Sequence, residues 1–235
     1  MTLAETAQTA DHEAQRASLR ERKKLATRRL LRRTALDLVA ERGFANVTVE
    51  DIAEAADVSP RTFFNYFPTK EAALFDSDTS RWAQMRERII HDSPGEPALD
   101  VLRAVMVSGA EAVVDDLRDL GGDPADWLRR MKVARADPQL RASHAARMTM
   151  IERTVTEALA ERLGTDPERD PYPGLLCAVA TGTFRASLSY WASSGGSIPL
   201  ARLIDLSFQA LADGLPERCE LRQVTGNVAD RKDDL

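Results

Sequence analysis

The sequence predicts an all-α protein, in which a small N-terminal helix-turn-helix domain of three helices precedes a larger helical domain. Three observations support this fold class. Apolar residues recur every three or four positions, alternating strand patterns are almost absent, and capping residues, glycines and prolines divide the chain into helix-sized segments. The first helix illustrates the pattern, because apolar pairs repeat every four residues until Gly43 stops the helix.

The N-terminal segment has two predicted parts. Residues 1–17 carry no apolar periodicity, so we expect a flexible arm there. Ser18 followed by Glu21 fits a capping box. The first helix is therefore predicted over residues 18–42.

Two short helices follow, with a start signal before each. Thr48 lies three residues before Asp51 and opens the second helix. Ser59 caps the third helix, where Pro60 occupies the first position and its missing N–H costs nothing. Pro68 ends this helix. Two helices joined by so short a turn form a helix-turn-helix unit.

The third helix divides into a core face and an outward face. The residues expected to face the core, together with their partners on the second helix, are Ile52, Ala53, Val58, Phe63 and Phe67. The residues left pointing outward are Arg61, Thr62, Asn65 and Tyr66. Their side chains can reach base edges or phosphates in a major groove.

The rest of the chain is also predicted to be mainly helical. One helix is predicted over residues 70–91, one from after Pro97 to about residue 120, one starting at Pro124, one from Asp137-Pro138 to Gly164, and the last two over residues 174–194 and 199–214. The polar tail that follows is expected to be disordered. The predicted domains are a flexible arm (1–17), a helix-turn-helix domain (18–76), a larger helical domain (77–215) and a disordered tail (216–235).

Charge is distributed unevenly along the chain. The net charge is −5, yet eight cations and one acid between Arg20 and Arg33 give that stretch +7. The remainder therefore carries −12. A basic end on an acidic body is typical of a protein with a local nucleic-acid contact, although a solvated helix face would look the same.

Composition excludes several classes. The 43% hydrophobic content suits a folded core, no apolar run approaches a membrane span, and no signal peptide is visible, so we expect a cytoplasmic protein. Cys177 and Cys219 have no metal-ligand spacing around them, and Cys177 is expected to be a buried apolar residue. Neither a metal nor a cofactor is expected.

Residues 30–75 resemble the DNA-binding domain of the TetR family of transcriptional repressors. That domain has a first helix ending in Gly-aromatic, a Thr-Val-x-x-Ile-Ala helix, an Ala-x-Val-Ser turn and a recognition helix ending in Phe-Pro-x-Lys-Glu. The matching residues are Gly43, Phe44, Thr48, Ile52, Ala53, Val58, Ser59, Thr62, Phe67, Pro68, Lys70 and Glu71. The resemblance covers less than a quarter of the chain, but its motifs are ordered and specific.

The resemblance implies DNA-contacting roles for individual residues. Thr48 would cap the second helix and touch phosphate, Thr62 and Tyr66 would lie on the DNA face, and Lys70 would bind phosphate. We expect two or three DNA contacts from the basic stretch, with Arg28 among them. The other charges of this stretch contribute to the electrostatic attraction of DNA and to the salt dependence of binding.

Two positions depart from the common TetR pattern. Phe64 stands where the family usually has Tyr, so a phosphate hydrogen bond is lost, while the ring can contact a thymine methyl group. Arg61 replaces a small residue and adds a guanine reader. Arg61 and Asn65 are therefore the predicted base-reading residues.

The resemblance also implies a dimer formed by the last two helices, 174–194 and 199–214. Small residues in the first of these helices permit close approach of a partner helix. The last helix has a broad apolar surface made by Leu200, Leu203, Ile204, Leu206, Phe208 and Leu211. Such a surface favours an obligate homodimer, although packing within the chain would explain part of it.

Candidate effector-contacting residues lie on the helices that surround the family's pocket. They are Trp82, Met85, Met106, Trp127, Met131, Met148, Phe184 and Arg185. Ordinary core packing is the alternative for each apolar member. Arg185 lies in an otherwise apolar helix and therefore needs either an acidic partner or an anionic ligand group. The recognition-helix sequence resembles an actinobacterial subgroup, some of whose members sense fatty acyl-CoA, so acyl-CoA and other apolar effectors are both expected candidates.

Two other function classes compete with that of a ligand-responsive repressor. An enzyme would need paired catalytic groups, whereas His12, His91 and His144 are isolated and no nucleophile–base pattern is visible. An activator or an architectural DNA binder without an effector remains open. The length of the second domain argues against simple DNA coating. The preferred interpretation is a dimeric repressor that binds a pseudo-palindromic operator in double-stranded DNA and is released by a small effector.

Overall fold

The computed structural model describes residues 3–75, 79–119, 122–217 and 219–225, and all regular elements in these ranges are helical. The predicted all-α class is therefore confirmed. Contacts divide the chain into two compact units, residues 1–77 and 78–235. Unit 1 contains α1 (Leu3–Arg42), a short 3-10 helix η1 (Phe44–Asn46), α2 (Val49–Ala55), α3 (Pro60–Phe64) and α4 (Lys70–Phe75).

Unit 2 contains the longer helices. They are α5 (Thr79–His91), α6 (Ala98–Asp119), α7 (Pro124–Ala136), α8 (Pro138–Leu163), α9 (Tyr172–Ser193) and α10 (Leu200–Ala212). The helix predicted over residues 70–91 is described as two pieces, α4 and α5, and residues 76–78 between them lie outside the described residues. None of the described helices is long and apolar enough to cross a membrane.

Helix α1 begins at Leu3, so the predicted start at Ser18 is wrong, while the flexibility of residues 1–17 stays a prediction. The stretch from Leu3 to Arg42 contains no proline or glycine and is rich in Ala, Arg and Leu, which have high helix propensity. The end is as predicted. Gly43 adopts a positive φ of 81° and donates its N–H to Val39 O at 3.0 Å.

The core of unit 1 joins α1 to the two short helices. The predicted core residues Ile52, Ala53, Phe63 and Phe67 are fully buried. From α1, Leu31 and Ala35 are also fully buried, and neighbouring turns of α1 contribute Leu38 and Val39. Helix α1 packs on α2 and α4, and α2 packs on α3, so these apolar contacts hold the helix-turn-helix against α1.

The core of unit 2 is formed mainly where α6 packs on α10, α5 on α8, and α9 on both α8 and α10. Cys177 lies in this core, as predicted, and its thiol donates to Glu152 O at 3.4 Å. Burial raises the pKa of the Cys177 thiol.

Helix α10 buries its apolar residues within its own chain. Leu200, Leu203, Ile204, Leu206 and Phe208 are each at most 3% exposed in the single chain. The interpretation of these residues as a surface awaiting a partner is therefore wrong, because α6 and α9 already cover them. The apolar pattern of α10 carries no argument for a dimer.

Part of the predicted disordered tail is folded. Residues 220–225 are helical, and Leu221 and Val224 pack against the core of unit 2. The Tyr190 hydroxyl donates to Thr225 O at 3.3 Å. Leu221 and Val224, three residues apart, provide the apolar contacts of this segment. The average composition of the tail is polar and therefore did not predict these contacts. Residues 226–235 lie outside the described residues.

Candidate nucleic-acid interface

The N-terminus of α2 is closed by the predicted capping box. Thr48 Oγ1 accepts a hydrogen bond from Asp51 N at 3.1 Å, and Asp51 Oδ2 accepts one from Thr48 N at 2.7 Å. Hydrogen bonds from the Thr48 side chain and backbone lower the pKa of Asp51 below its ordinary value of 3.8. These bonds satisfy backbone donors that the helix itself leaves unpaired.

The turn and the start of α3 are also set locally. Asp57 adopts the left-handed conformation, with φ of 54°, which Asp tolerates better than most residues. Ser59 Oγ accepts a hydrogen bond from Thr62 N at 3.1 Å and lies 2.9 Å from Thr62 Oγ1, while Pro60 occupies the first helical position. The predicted cap of α3 is therefore confirmed.

Helix α3 presents one face to solvent. Arg61, Phe64 and Asn65 are exposed, at spacings of three and four residues, whereas Thr62 and Tyr66 are half-buried. The two predicted base-reading residues are thus exposed on neighbouring turns of one helix, and Phe64 is exposed on the other side of Arg61. The hydroxyl of Thr62 already has a neighbour in Ser59, and its contact with DNA stays a prediction.

Lys70 is engaged with its own chain. Its ammonium donates to Phe44 O and Val47 O, each at 2.8 Å, and lies 4.0 Å from the centre of the Phe44 ring. These bonds tie the start of α4 to the connection that precedes Thr48. An ammonium has three N–H groups, so the predicted phosphate contact has to use the remaining one. Sequence alone gave no sign of these carbonyl partners, which lie 23 and 26 residues away.

The basic stretch of α1 is divided between packing and solvent. The Arg28 guanidinium lies 4.9 Å from the centre of the Phe67 ring, and Arg32 is buried. The exposed cations of this stretch are Arg22, Lys23, Lys24, Arg29 and Arg33. Arg28 therefore helps to hold α1 against the helix-turn-helix, and its predicted contact with DNA is untested.

In unit 2, most predicted effector-contacting residues converge on one apolar cluster. Met106 is buried within it, and the side chains partly buried against it include Trp82, Met85, Trp127, Met148 and Phe184. Met131 is half-buried on α7. The Arg147 guanidinium lies 5.6 Å from the centre of the Trp82 ring, which places a cation beside this cluster.

Arg185 does not lie in the apolar environment that was predicted for it. It is exposed on α9, so its charge is not buried in the single chain and requires no partner there. The helix is apolar because its other faces are covered by α8 and α10. A role for Arg185 in ligand binding is a prediction without that support.

Sequence reasoning missed two long-range contacts of arginines in unit 2. The Arg162 guanidinium donates to Asp92 O and Ser93 O, each at 2.8 Å, and to Ile89 O and Glu96 O at 3.1 Å. It therefore holds the end of α5 and the following turn against α8. Arg103 binds Asp205 at 2.6 Å and joins α6 to α10. No local pattern announces partners about 70 to 100 residues away.

Comparison with known proteins agrees with this arrangement. A model of the N-terminal domain, described as bacterial regulatory proteins of the tetR family, matches residues 31–76, and the MftR C-terminal domain matches residues 96–216. The HTH-type transcriptional regulator TcmR of Streptomyces glaucescens is 30% identical over 74% of this chain and 76% of its own. MftR of Mycobacterium tuberculosis is 24% identical over 77% of this chain and 87% of its own.

A solved structure supports the same fold. The fatty acid degradation regulator FadR from Bacillus halodurans aligns over 82% of this chain and 97% of its own, with a TM-score of 0.52 and 18% identity. These relatives are transcriptional regulators and not enzymes. Given the capped helix-turn-helix and matches in both units, this chain belongs to the TetR family of bacterial transcriptional regulators.

Proposed function

We propose that this protein is a dimeric repressor that binds a pseudo-palindromic operator through α3 and leaves it when a small apolar effector binds unit 2. The observation that carries the DNA-binding part is the exposed face of α3, formed by Arg61, Phe64 and Asn65. Arg pairs with guanine and Asn with adenine in the major groove, so this face offers two base readers on one helix. Such a protein would act in the cytoplasm, where the DNA is.

The dimer is proposed to form through the exposed face of α9. Tyr172 and Leu175 are 51% and 59% exposed, and Ala178 and Ala186 are exposed on later turns. Small residues on this face permit close approach of a second α9, and a two-fold axis would pair the same surface with itself. Two copies of α3 would then reach successive segments of the major groove, as a pseudo-palindrome requires.

The effector is proposed to enter the cluster around Met106, where Trp82, Met85, Met148 and Phe184 are partly buried. Methionine and aromatic side chains adapt to different apolar shapes. Arg147, beside Trp82, supplies a cation for an anionic group. An apolar tail with an anionic head, as in an acyl-CoA, has the chemistry that suits both features.

Release would follow from linkage between the two units. An effector that lowers operator affinity must bind the DNA-free state more tightly than the DNA-bound state. Helix α5 lies in the effector unit, and α4 precedes it in the chain with Lys70 at its start. We propose that effector binding displaces α4, breaks the bonds from Lys70 to Phe44 and Val47, and so changes the placement of α2 and α3 on DNA.

The test is affinity selection of random genomic fragments on the purified protein at moderate salt, with and without cell-extract metabolites. We expect one pseudo-palindromic sequence, lost when an extract fraction is added. A motif that no fraction disturbs would indicate an architectural binder or an activator and would contradict the effector. Recovery of no preferred sequence would contradict operator binding itself.

The apolar effector has a separate test. Thermal unfolding would be followed with long-chain acyl-CoA, the matching free fatty acid and CoA alone. Saturating a site at one hundred times its Kd stabilises a protein by about 2.7 kcal/mol, which is readily measured. We expect a rise in melting temperature with acyl-CoA that is lost in Trp82→Ala and Phe184→Ala. No rise with any of the three ligands would contradict this effector class.

A further inference from the structure

Phe64 is the apolar member of an otherwise polar recognition face. Its side chain is 53% exposed, whereas that of the adjacent Phe63 is fully buried. The two rings meet edge to face, with centroids 5.7 Å apart and planes at 89°. Phe64 therefore packs its ring on the buried Phe63 while about half of its side chain is exposed, less than one helical turn from the exposed Arg61.

The chemistry of a major groove narrows what this ring can bind. Base edges there present hydrogen-bond donors and acceptors, and the apolar group among them is the methyl at C5 of thymine. A cytosine methylated at C5 presents the same group at the same place. A phenyl ring has no hydrogen-bonding atoms, so it gains from covering that methyl and gains nothing from a bare pyrimidine edge.

We propose that Phe64 reads the 5-methyl group of a pyrimidine, thymine or 5-methylcytosine, in each half of the operator. This inference rests on the proposed binding of DNA through α3. It makes Phe64 a specificity-determining residue and makes operator binding sensitive to a methyl group that leaves base pairing unchanged.

The position of the methyl relative to other bases follows from helix geometry. Phe64 lies three residues after Arg61, which is roughly 4.5 Å along the helix axis. Stacked base pairs are about 3.4 Å apart. The methyl should therefore lie within about two base pairs of the guanine read by Arg61. The expected loss on removing one methyl is about fourfold in affinity per half-site, from the transfer free energy of one such group.

The first experiment runs the operator selection in parallel on DNA containing thymine and on DNA containing uracil, which differs from thymine by this methyl alone. The full chain is used in both. We expect the uracil library to return the same pseudo-palindrome with one pyrimidine position per half-site weakened. Identical motifs from both libraries would overturn methyl reading while leaving operator binding intact. The absence of a motif in either library would instead overturn the proposed operator binding, and this inference with it.

The second experiment assigns the effect to Phe64. Equilibrium binding is measured at the identified position with thymine, uracil, cytosine and 5-methylcytosine, for the wild type and for Phe64→Ala and Phe64→Leu. Met150→Ala is the matched control, because Met150 is 52% exposed on α8 in the other unit. Melting temperature and helical signal check that each variant is folded.

The expected pattern is specific. In the wild type and in Met150→Ala, thymine should bind about fourfold more tightly than uracil per half-site, and Phe64→Ala should abolish this ratio. Phe64→Leu, which keeps an apolar side chain, should retain part of it. A similar gain for 5-methylcytosine over cytosine would extend the reading to methylated DNA, and a gain confined to thymine would assign thymine alone. An unchanged thymine-to-uracil ratio in Phe64→Ala would overturn the proposal.

Discussion

The caps of the helix-turn-helix in unit 1 and the α5–α8 junction of unit 2 differ in the sequence separation of the residues that their hydrogen bonds join. In the first, the caps of α2 and α3 join Thr48 to Asp51 and Ser59 to Thr62, each across three residues. In the second, Arg162 reaches carbonyl groups 66 to 73 residues earlier in the chain. The caps form within short segments, although Lys70 also ties the helix-turn-helix to Phe44 O and Val47 O. The α5–α8 junction forms only when distant segments have come together.

This difference indicates which contacts would have to change if either unit changed its conformation. Caps and a buried apolar face let the helix-turn-helix behave as a compact reading module. At the junction in unit 2, the Arg162 guanidinium binds the end of α5 and the turn after it, beside the apolar contacts of Ile89 and the Arg86–Glu161 ion pair. A disturbance of Arg162 therefore affects two helices together.

The largest expected effect separates the two adjacent phenylalanines of the reading module. Phe63→Ala should lower the free energy of unfolding by about 3–5 kcal/mol, because Phe63 is fully buried and its loss leaves a cavity. Phe64→Ala should lower it by only about 1 kcal/mol, because Phe64 is half exposed and loses mainly its edge-to-face contact with Phe63. Urea unfolding of both variants measures this. Equal losses would contradict the assignment of Phe64 to the surface.

The next effect tests the long-range junction. Arg162→Ala should destabilise unit 2 by about 2 kcal/mol, since hydrogen bonds to a charged group contribute about 1.5–3 kcal/mol. Arg162→Lys should recover little, because an ammonium lacks the planar fork that reaches several carbonyls. Arg153→Ala on the same helix is the control, and its exposed side chain should leave the unfolding midpoint unchanged. A loss no larger than that of the control would show that the junction is not held by Arg162.

A smaller effect tests the local caps. Thr48→Ala should cost about 1 kcal/mol, because the N-terminus of α2 loses a side-chain acceptor. Thr48→Ser keeps the hydroxyl and should retain most of that stability. Urea unfolding of the two variants, compared with the wild type, measures the cap. If Ser and Ala behaved alike, the hydroxyl would not be the stabilising group.

The smallest effect is a pH dependence in the same cap. Because the pKa of Asp51 is lowered in the folded state, its ionised carboxylate contributes stability above pH 3.8, and this contribution is lost as pH falls through the lowered pKa. The difference in melting temperature between the wild type and Asp51→Asn should therefore shrink as pH is lowered from 7 to 3. A difference that stays constant across this range would contradict a role for the ionised carboxylate.

The same contrast decides what the sequence could predict. Thr48, Ser59 and Gly43 mark helix ends through bonds to near neighbours, and all three act as expected. Ser18 carried an equally good local signal and failed, because good helix formers on both sides let α1 continue through it. A local signal predicts a helix end only where the flanking residues do not favour continuing the helix.

Predictions that depended on distant partners fared less well. The apolar residues of α10 were identified as needing cover, but the pattern does not say whether α6 or a second chain supplies it. The apolar sequence around Arg185 predicts burial, but its side chain is exposed, because exposure depends on which other helices pack on that face of α9. The carbonyl partners of Lys70 come from the segment around η1, 23 and 26 residues away. The exposed face of α3 was predictable, since Phe63 and Phe67 fix its orientation within a few residues.

The most direct test of the account compares the motifs selected by the wild type, by Arg61→Ala and by Lys70→Ala from one random DNA library. The account predicts a pseudo-palindrome for the wild type. Arg61→Ala should lose base preference at one position in each half-site, at a cost of roughly 1–3 kcal/mol, while Lys70→Ala should keep the motif and bind all sequences more weakly. An unchanged motif in Arg61→Ala, or no motif in the wild type, would contradict the claim that α3 reads the operator.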